Sequence, residues 1–156
     1  MSDSSSIQVP AAEGCAFCDY LGGRRPYTIA WRSKITAILV TREQRGSSHV
    51  LVVPVAHRET ILDLREPELS ELMRTIVMAA RAIDAAEGRP GIAVWQNNGV
   101  TVDQTIPHVH FHVAGSLPGS GGTERGAVDE LGLDVTEEIA RRLRLHLSQA
   151  ATVDTD

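Results

Sequence analysis

The heptapeptide at residues 107–113, PHVHFHV, alternates three histidines with bulky apolar residues. Successive side chains of a β-strand point to opposite faces of its sheet, so this spacing predicts a strand with all three imidazoles on one face. The apolar side chains on the other face can pack into a core. The imidazole face then carries groups that titrate near neutral pH, bind metals and attack phosphorus. We therefore expect the functional site at His108, His110 and His112.

Further segments rich in β-branched and apolar residues, bounded by turn-forming residues, predict four more strands. A helix is predicted by apolar residues at helical spacing from Leu69 to Ile83, with an end at Gly88, and its apolar stripe is expected to be core. Thr136 begins a last helix that continues to Leu147. Short loops between strands and one long central helix favour an α+β fold with an antiparallel sheet of about five strands. The four strands are predicted at residues 27–31, 36–40, 49–54 and 92–96.

The chain is expected to form one domain over residues 15–147, because 156 residues are enough to bury a single core. Residues 1–14 are rich in serine and short of large apolar groups, so we expect a flexible tail. The last residues, 148–156, are expected to form a second flexible tail. A mobile loop is predicted at residues 115–126, where glycine is frequent.

Charge and hydropathy exclude several classes of protein. The net charge is −5 and the basic residues are dispersed, which argues against an electrostatic binder of nucleic acid. No apolar run reaches the length of a membrane span. The N-terminal residues lack the basic and then apolar layout of a secretory signal, so a cytoplasmic location is expected.

The two cysteines, Cys15 and Cys18, are separated by two residues. This spacing fits a redox pair, half of a metal site, or two thiols without a special role. The sequence around the pair does not resemble the strand-to-helix turn in which redox pairs normally occur. A structural zinc ion needs four ligands, so the metal interpretation depends on two more residues.

The histidine strand, together with Asn97-Asn98-Gly99 and the DQTIP sequence at residues 103–107, resembles the histidine triad (HIT) superfamily of nucleotide-binding hydrolases and transferases. The sequence SHVLVVPVAH at residues 48–57 resembles the second block of that family, G-H-x-L-V-h-P-x-x-H. The resemblance extends from about Cys15 to Leu147. It implies the HIT-like fold with a long central helix and a C-terminal helix, a homodimer, and a purine nucleotide substrate such as an adenosine monophosphate conjugate.

A histidine can displace a leaving group from a nucleotide α-phosphate and form a phosphoramidate that water later cleaves. For this, one ring nitrogen must be unprotonated while the other donates to a fixed acceptor. In a strand, the carbonyl two residues earlier is such an acceptor, so the backbone of His108 can orient His110. The resemblance implies the same role for the middle histidine. We therefore expect His110 to be the nucleophile.

The remaining site residues are expected to contact the nucleotide. His112 and His49 are expected to donate hydrogen bonds to phosphate oxygens or to the leaving group, because such donors stabilise developing negative charge. For Asn97, Gln104 and Thr105, a role in capping turns is an alternative to ligand binding. The resemblance implies nucleotide-binding positions at Asn97, Gln104, Thr105 and Thr41.

The resemblance also implies a zinc site. Some members of the superfamily carry C-x-x-C near the N-terminus and bind zinc through both cysteines, the last histidine of the second block and the first histidine of the triad. These positions are Cys15, Cys18, His57 and His108 here. Two cysteines and two histidines form a closed set of ligands, so the metal is expected to be structural.

The chain departs from the family pattern where Asp103 replaces the usual glycine and where Thr41 replaces an aspartate or asparagine that holds the ribose hydroxyls. These departures favour an alternative in which the protein binds nucleotides as a regulatory or scaffold protein with little turnover. A metal-storage or metal-sensing module that uses the histidine row as ligands is a second alternative. It leaves Asn97 and the Gln104–Thr105 pair unexplained.

Overall fold

The computed structural model describes residues 6–119 and 122–150, without the side chains of residues 148–150. The parts of the expected tails at 1–5 and 151–156, and residues 120–121 of the glycine-rich loop, lie outside the described residues. Two 3₁₀ turns, Ile61–Asp63 and Val100–Val102, connect longer elements. The helices and strands, in chain order, are α1 (Ala16–Leu21), β1 (Ile29–Arg32), β2 (Thr36–Val40), β3 (Ser47–Pro54), α2 (Glu68–Glu87), β4 (Ile92–Trp95), β5 (Phe111–Gly115) and α3 (Leu133–Ala150).

The five strands form one antiparallel sheet in the order β1-β2-β3-β5-β4. This confirms the predicted α+β fold. Strand β3 is paired on both sides and is buried over almost its whole length, which agrees with the apolar run at residues 50–54. The edges of the sheet are β1 and β4. On β1, the Arg144 side chain of α3 donates hydrogen bonds to the backbone oxygens of Ile29 and Ala30.

The sheet has an apolar cluster on each face. Helices α2 and α3 cover one face, where Ile83 and Leu143 pack with Val50 of β3. The short helix α1 contributes Phe17 to a smaller cluster on the other face, with Leu51 of β3. Because α1 is only six residues long, it covers a small part of that face. The histidine row lies on this second face.

Helix α2 is less buried than its apolar sequence predicts. Leu72, Ile76 and Ile83 are buried, as expected. Leu69, Met73 and Val77 are 47%, 59% and 39% exposed, which corrects the expectation that the whole stripe is core. These three residues are spaced four apart and form one line on the helix, here called the α2 outer row. The helix packs on the sheet and on α3 from one side only, so its apolar band is wider than the surface that is covered.

The histidine segment joins the sheet later than predicted, because β5 begins at Phe111. Pro107 has no N–H for the ladder, and the N–H of Val109 donates to the backbone oxygen of Arg58 at 2.7 Å. The alternation survives outside the ladder, since Val109 is fully buried in the α2 face of the sheet. Gly115 ends β5, so the predicted glycine-rich loop begins one residue later than expected.

The described part of the N-terminal segment contacts the domain. The backbone oxygen of Gln8 accepts a hydrogen bond of 2.8 Å from the N–H of Val100. Gly99 has a φ of 104°, and a side chain there would meet Ile7 at 3.0 Å. Glycine is therefore needed at this position both for its backbone angle and for the close approach of the N-terminal segment. None of the helices in the described residues could span a membrane.

Candidate active site and metal centre

His110 is oriented by the backbone of the segment that leads into β5. Its Nδ1 lies 2.7 Å from the backbone oxygen of His108. A carbonyl can only accept, so Nδ1 carries the proton and Nε2 keeps its lone pair. Burial lowers the pKa of His110, which keeps the ring neutral near pH 7. The hydrogen bond that the sequence predicts is therefore present, and it leaves the Nε2 lone pair unprotonated.

His112, which is half-buried, and His49, which is buried, form a pair beside His110. Nδ1 of His112 lies 3.0 Å from Nε2 of His49. His49 is 1% exposed, and its Nδ1 lies 3.1 Å from both the backbone N–H of Arg45 and the backbone oxygen of Glu43. Burial lowers the pKa of His49 to about 4, so the ring is neutral near pH 7. Nε2 of His49 contacts His112, and the predicted bond from His49 to a phosphate remains a prediction.

Two aromatic residues that the sequence analysis missed contact the histidines. Trp95 stacks on His112 with ring centroids 4.6 Å apart and planes 2° from parallel. Phe17 is buried, and its ring centroid lies 5.1 Å from that of His110 and 5.7 Å from that of His108. The position of Phe17 between the two cysteines was the signal available in the sequence. For Trp95, the signal was its place at the end of the strand before Asn97.

The loop residues fall into two groups. Gln104 is buried, and its amide donates both hydrogens to the backbone oxygens of Glu59 and Ile106. Both side-chain N–H groups of Gln104 are used within the protein, which favours the turn-capping alternative, and its nucleotide contact remains a prediction. Thr41 is also buried and accepts from the N–H of Glu43, so it caps a turn as well.

Asn97 and Thr105 have side chains that remain available to a ligand. Thr105 is exposed in the segment that leads into the histidine row. Asn97 is half-buried, and only its backbone oxygen takes part in a hydrogen bond with described residues, as the acceptor from Gln96. Nucleotide contacts by these two residues remain predictions.

Cys15, Cys18, His57 and His108 come together at the start of α1. Their four ligand atoms lie within 4.8 Å of one another. Nδ1 of His108 is 3.3 Å from Cys15 Sγ and 3.6 Å from Cys18 Sγ, and Nδ1 of His57 is 3.5 Å from Cys18 Sγ. Three separate parts of the chain therefore contribute to one cluster, as the sequence predicts.

The chemistry of this cluster fits zinc. Nε2 of His108 lies 2.8 Å from the backbone oxygen of Pro54, to which it donates, so Nδ1 is unprotonated and faces the thiols. Burial and the neighbouring Cys15 raise the pKa of the Cys18 thiol to about 11. A metal ion that binds thiolates offsets this cost, because it replaces the proton. Two sulfur and two imidazole ligands are a common donor set of structural zinc.

Residues 24–118 match the HIT domain. The chain belongs to the HIT domain family. Its HIT relatives include an uncharacterised HIT-like protein of Methanocaldococcus jannaschii, which is 28% identical over 80% of this chain and 98% of its own length. An adenosine 5'-monophosphoramidase of Candida albicans is 25% identical over 64% of this chain and 68% of its own. An asymmetrical bis(5'-nucleosyl)-tetraphosphatase of Schizosaccharomyces pombe is 28% identical over 54% of this chain and 47% of its own.

Solved structures confirm the HIT fold. A histidine triad nucleotide-binding protein of Sulfolobus tokodaii superposes with a TM-score of 0.80 at 21% identity, over 91% of this chain and 97% of the other. A zinc-bound histidine triad family protein of Mycobacterium smegmatis superposes with a TM-score of 0.75 at 23% identity, over 90% of this chain and 98% of the other. These similarities establish the architecture of the chain.

Proposed function

We propose that this HIT protein is a hydrolase or nucleotidyl transferase that acts at the α-phosphate of a nucleoside monophosphate conjugate. The observation that carries the proposal is the hydrogen bond from His110 Nδ1 to the backbone oxygen of His108. It fixes the tautomer in which Nε2 can attack, and burial keeps the ring neutral. The conjugate is a phosphoramidate, an acyl-adenylate or a dinucleoside polyphosphate.

The reaction proceeds in two displacements at phosphorus. The Nε2 lone pair of His110 forms a bond to the α-phosphorus, and the bond from phosphorus to the leaving group breaks with its electron pair going to that group. The leaving group takes a proton from solvent. Water then attacks phosphorus and loses a proton to solvent, the P–N bond breaks with its electron pair returning to Nε2, and the nucleoside monophosphate and the neutral imidazole are released. His112 donates a hydrogen bond to the phosphate oxygens, which stabilises charge in both displacements.

The relatives support an adenosine conjugate as the substrate. One is an adenosine 5'-monophosphoramidase and another is an asymmetrical bis(5'-nucleosyl)-tetraphosphatase. Both activities break a bond at a nucleotide phosphate, which agrees with one nucleophile that accepts several leaving groups.

The test is hydrolysis of adenosine 5'-phosphoramidate by wild type and His110→Gln, with an acid quench and mass spectrometry of the protein. We expect an adenylyl group on the wild type and a loss of turnover of roughly 10³-fold or more in the variant. His146→Gln is the matched control, because His146 lies on α3, on the other face of the sheet. Turnover that survives in His110→Gln would contradict the mechanism.

We propose that zinc binds to Cys15, Cys18, His57 and His108. The Mycobacterium smegmatis relative is zinc-bound, and the donor atoms of this chain are already close together. Bound with four protein ligands, the metal supplies a structural crosslink and no catalytic water. Elemental analysis of protein purified without added metal should give one zinc per chain, and Cys15→Ser/Cys18→Ser should give none. A zinc content near zero in the wild type would refute the site.

We also propose a homodimer that buries the α2 outer row and the free edge of β4. The row and Val94 of β4 form exposed apolar surface, and an unpaired edge strand is a site for pairing with a second copy. Sedimentation should give twice the chain mass of 16.9 kDa. Met73→Glu should shift the protein to monomer, whereas Leu145→Glu, an exposed position of α3, should not. A monomeric wild type would refute the proposal.

One observation favours a nucleotide-binding protein with little turnover as the second candidate. The amide of Gln104 is fully used by backbone oxygens, so one expected phosphate donor is missing. Tight binding of adenosine monophosphate by the wild type, together with wild-type turnover no higher than that of His110→Gln, would favour this candidate. A metal-storage role has no such support, because of the histidine row only His108 belongs to the metal cluster, while Nδ1 of His110 and of His112 are engaged by a backbone oxygen and by His49.

A further inference from the structure

Trp95 and His112 are directly opposite each other on neighbouring antiparallel strands. The register of β4 and β5 pairs these two residues, so their side chains stand next to each other on the same face. The rings lie 4.6 Å apart and 2° from parallel. The indole also meets the His49 ring at 5.1 Å. Trp95 therefore contacts both His112 and His49.

Trp95 does not serve as a core residue. The other tryptophan, Trp31, packs against the large apolar cluster on the α2 face of the sheet. Trp95 is half-buried and belongs to neither apolar cluster of the described residues. The position of this large aromatic side chain is therefore explained by its stacking on the imidazole and not by core packing.

Three contacts determine how the His112 ring is held. Its Nδ1 is engaged by His49 Nε2 at 3.0 Å, which leaves Nε2 as the nitrogen without a partner among residues 6–119 and 122–150. His110 meets the ring at 5.1 Å with planes at 62°. The hydrogen bond resists a flip of the ring by 180°, but it does not fix the tilt of the ring plane. The flat surface of Trp95 does, since rotation about Cβ–Cγ would drive the imidazole into the indole.

We propose that Trp95 is a positioning residue for His112, because its stacked indole holds the imidazole in the plane that presents Nε2 to a bound phosphate. This inference rests on the proposed hydrolase or transferase function, in which His112 donates to the phosphate. His49 and Trp95 then hold the His112 ring in different ways. His49 selects which nitrogen faces the ligand, and Trp95 sets the direction in which that nitrogen points.

The experiment compares Trp95→Phe with Trp95→Leu, both made in a Trp31→Phe protein. Phenylalanine keeps an aromatic face against His112, whereas leucine keeps apolar bulk without one. Trp31→Phe is both the background and the matched control, because it makes an equivalent change on the other face of the sheet. Two readouts are used: the NMR signals of the His112 ring protons, and kcat and KM for adenosine 5'-phosphoramidate.

The stack predicts a specific set of results. Ring current from the indole holds the His112 ring protons upfield in the Trp31→Phe protein, and Trp95→Leu releases them downfield. In Trp95→Leu, kcat falls about tenfold while KM stays within about twofold, because orientation and not affinity is lost. Trp95→Phe recovers kcat to within about threefold and gives an intermediate shift. A residue that only stabilised the fold would not separate kcat from KM in this way.

Several results would overturn the inference. His112 ring signals that do not move in Trp95→Leu would show that there is no stack in solution. Unchanged kcat with displaced signals would show that the stack does not matter for reaction, and equal losses in both variants would show that an aromatic face is not what counts. If Trp95→Leu does not fold, the His112 ring signals and the kcat of Trp95→Phe test the inference instead. If the wild type has no turnover, the proposed function fails, while the ring signals still decide whether Trp95 holds His112.

Discussion

Acid should destabilise this protein through His49, which is buried as a neutral ring. Burial lowers its pKa from 6.5 to about 4, and the neighbouring Arg45 and His110 also disfavour the charged form. The unfolded chain therefore binds a proton at a pH where the folded chain does not. The free energy of unfolding falls as the pH drops through 6.5 and stops falling below about 4.

The size of the effect follows from the difference between the two pKa values. A tenfold change in proton affinity corresponds to about 1.4 kcal/mol, so complete titration of His49 costs about 3 kcal/mol. Between pH 7.5 and pH 5 the loss is about 2 kcal/mol, because at pH 5 the folded ring is still mostly neutral.

The His49→Gln variant isolates the contribution of His49. Glutamine does not titrate, and its amide can reach the position of the His49 Nε2 that contacts His112. Urea unfolding should show the variant less stable than wild type at pH 7.5, with the gap closing by about 2 kcal/mol at pH 5. A parallel pH dependence in both proteins would refute the argument, since it would mean that His49 is protonated or solvated in the folded chain.

Further predictions concern packing and the metal. Gly46→Ala should lower the free energy of unfolding by about 1–3 kcal/mol, because a Cβ there overlaps the backbone oxygen of Gly115, whereas Gly91→Ala meets nothing and should change it little. In α3, Leu143→Ala should cost about 2–5 kcal/mol and Leu145→Ala under about 1 kcal/mol, since only the first is buried. A chelator should lower the melting temperature of wild type and leave that of Cys15→Ser/Cys18→Ser unchanged. Thermal melts at one protein concentration measure all three, and equal effects within a pair would contradict the reasoning.

Much of the fold and part of the site could be predicted from the sequence, because periodicity records which face of an element is apolar. The alternation at residues 107–113 predicts the imidazole row, and it also predicts the bond from His110 to the backbone of His108, although both residues precede the first residue of β5. Periodicity does not record what covers an apolar surface. For that reason the exposure of Met73 could not be predicted.

Strand register and the hydrogen-bond partners of polar groups could not be predicted from the sequence either. Trp95 lies opposite His112 only because of the pairing of β4 with β5, and a single sequence does not encode that register in a readable form. Gln104 has the right chemistry to bind a phosphate and also to hold a loop. Only the positions of Glu59 and Ile106 decide between these roles.

Two departures from the HIT pattern have a common physical basis. Ser48 and Asp103 replace glycines of that pattern, and both have positive φ, 49° and 65°. These angles lie in the left-handed region that glycine adopts without strain. Ser48 offsets the strain with a hydrogen bond to Glu87, and it lies at the irregularity between Ser47 and Val50 where β3 changes register. Asp103 ends a 3₁₀ turn and is exposed, so its carboxylate has access to solvent.

The contacts of Arg144 limit how this sheet can grow. A filament in which sheets pair edge to edge needs two unpaired edge strands in each subunit, one for each neighbour. On β1, the Arg144 guanidinium already occupies the backbone oxygens of Ile29 and Ala30. Pairing through β4 then uses the one edge that is left, and a second copy joined there by a twofold axis leaves nothing for a third. In a dimer that forms through β4, we therefore expect Arg144 to keep β1 from pairing with a further copy.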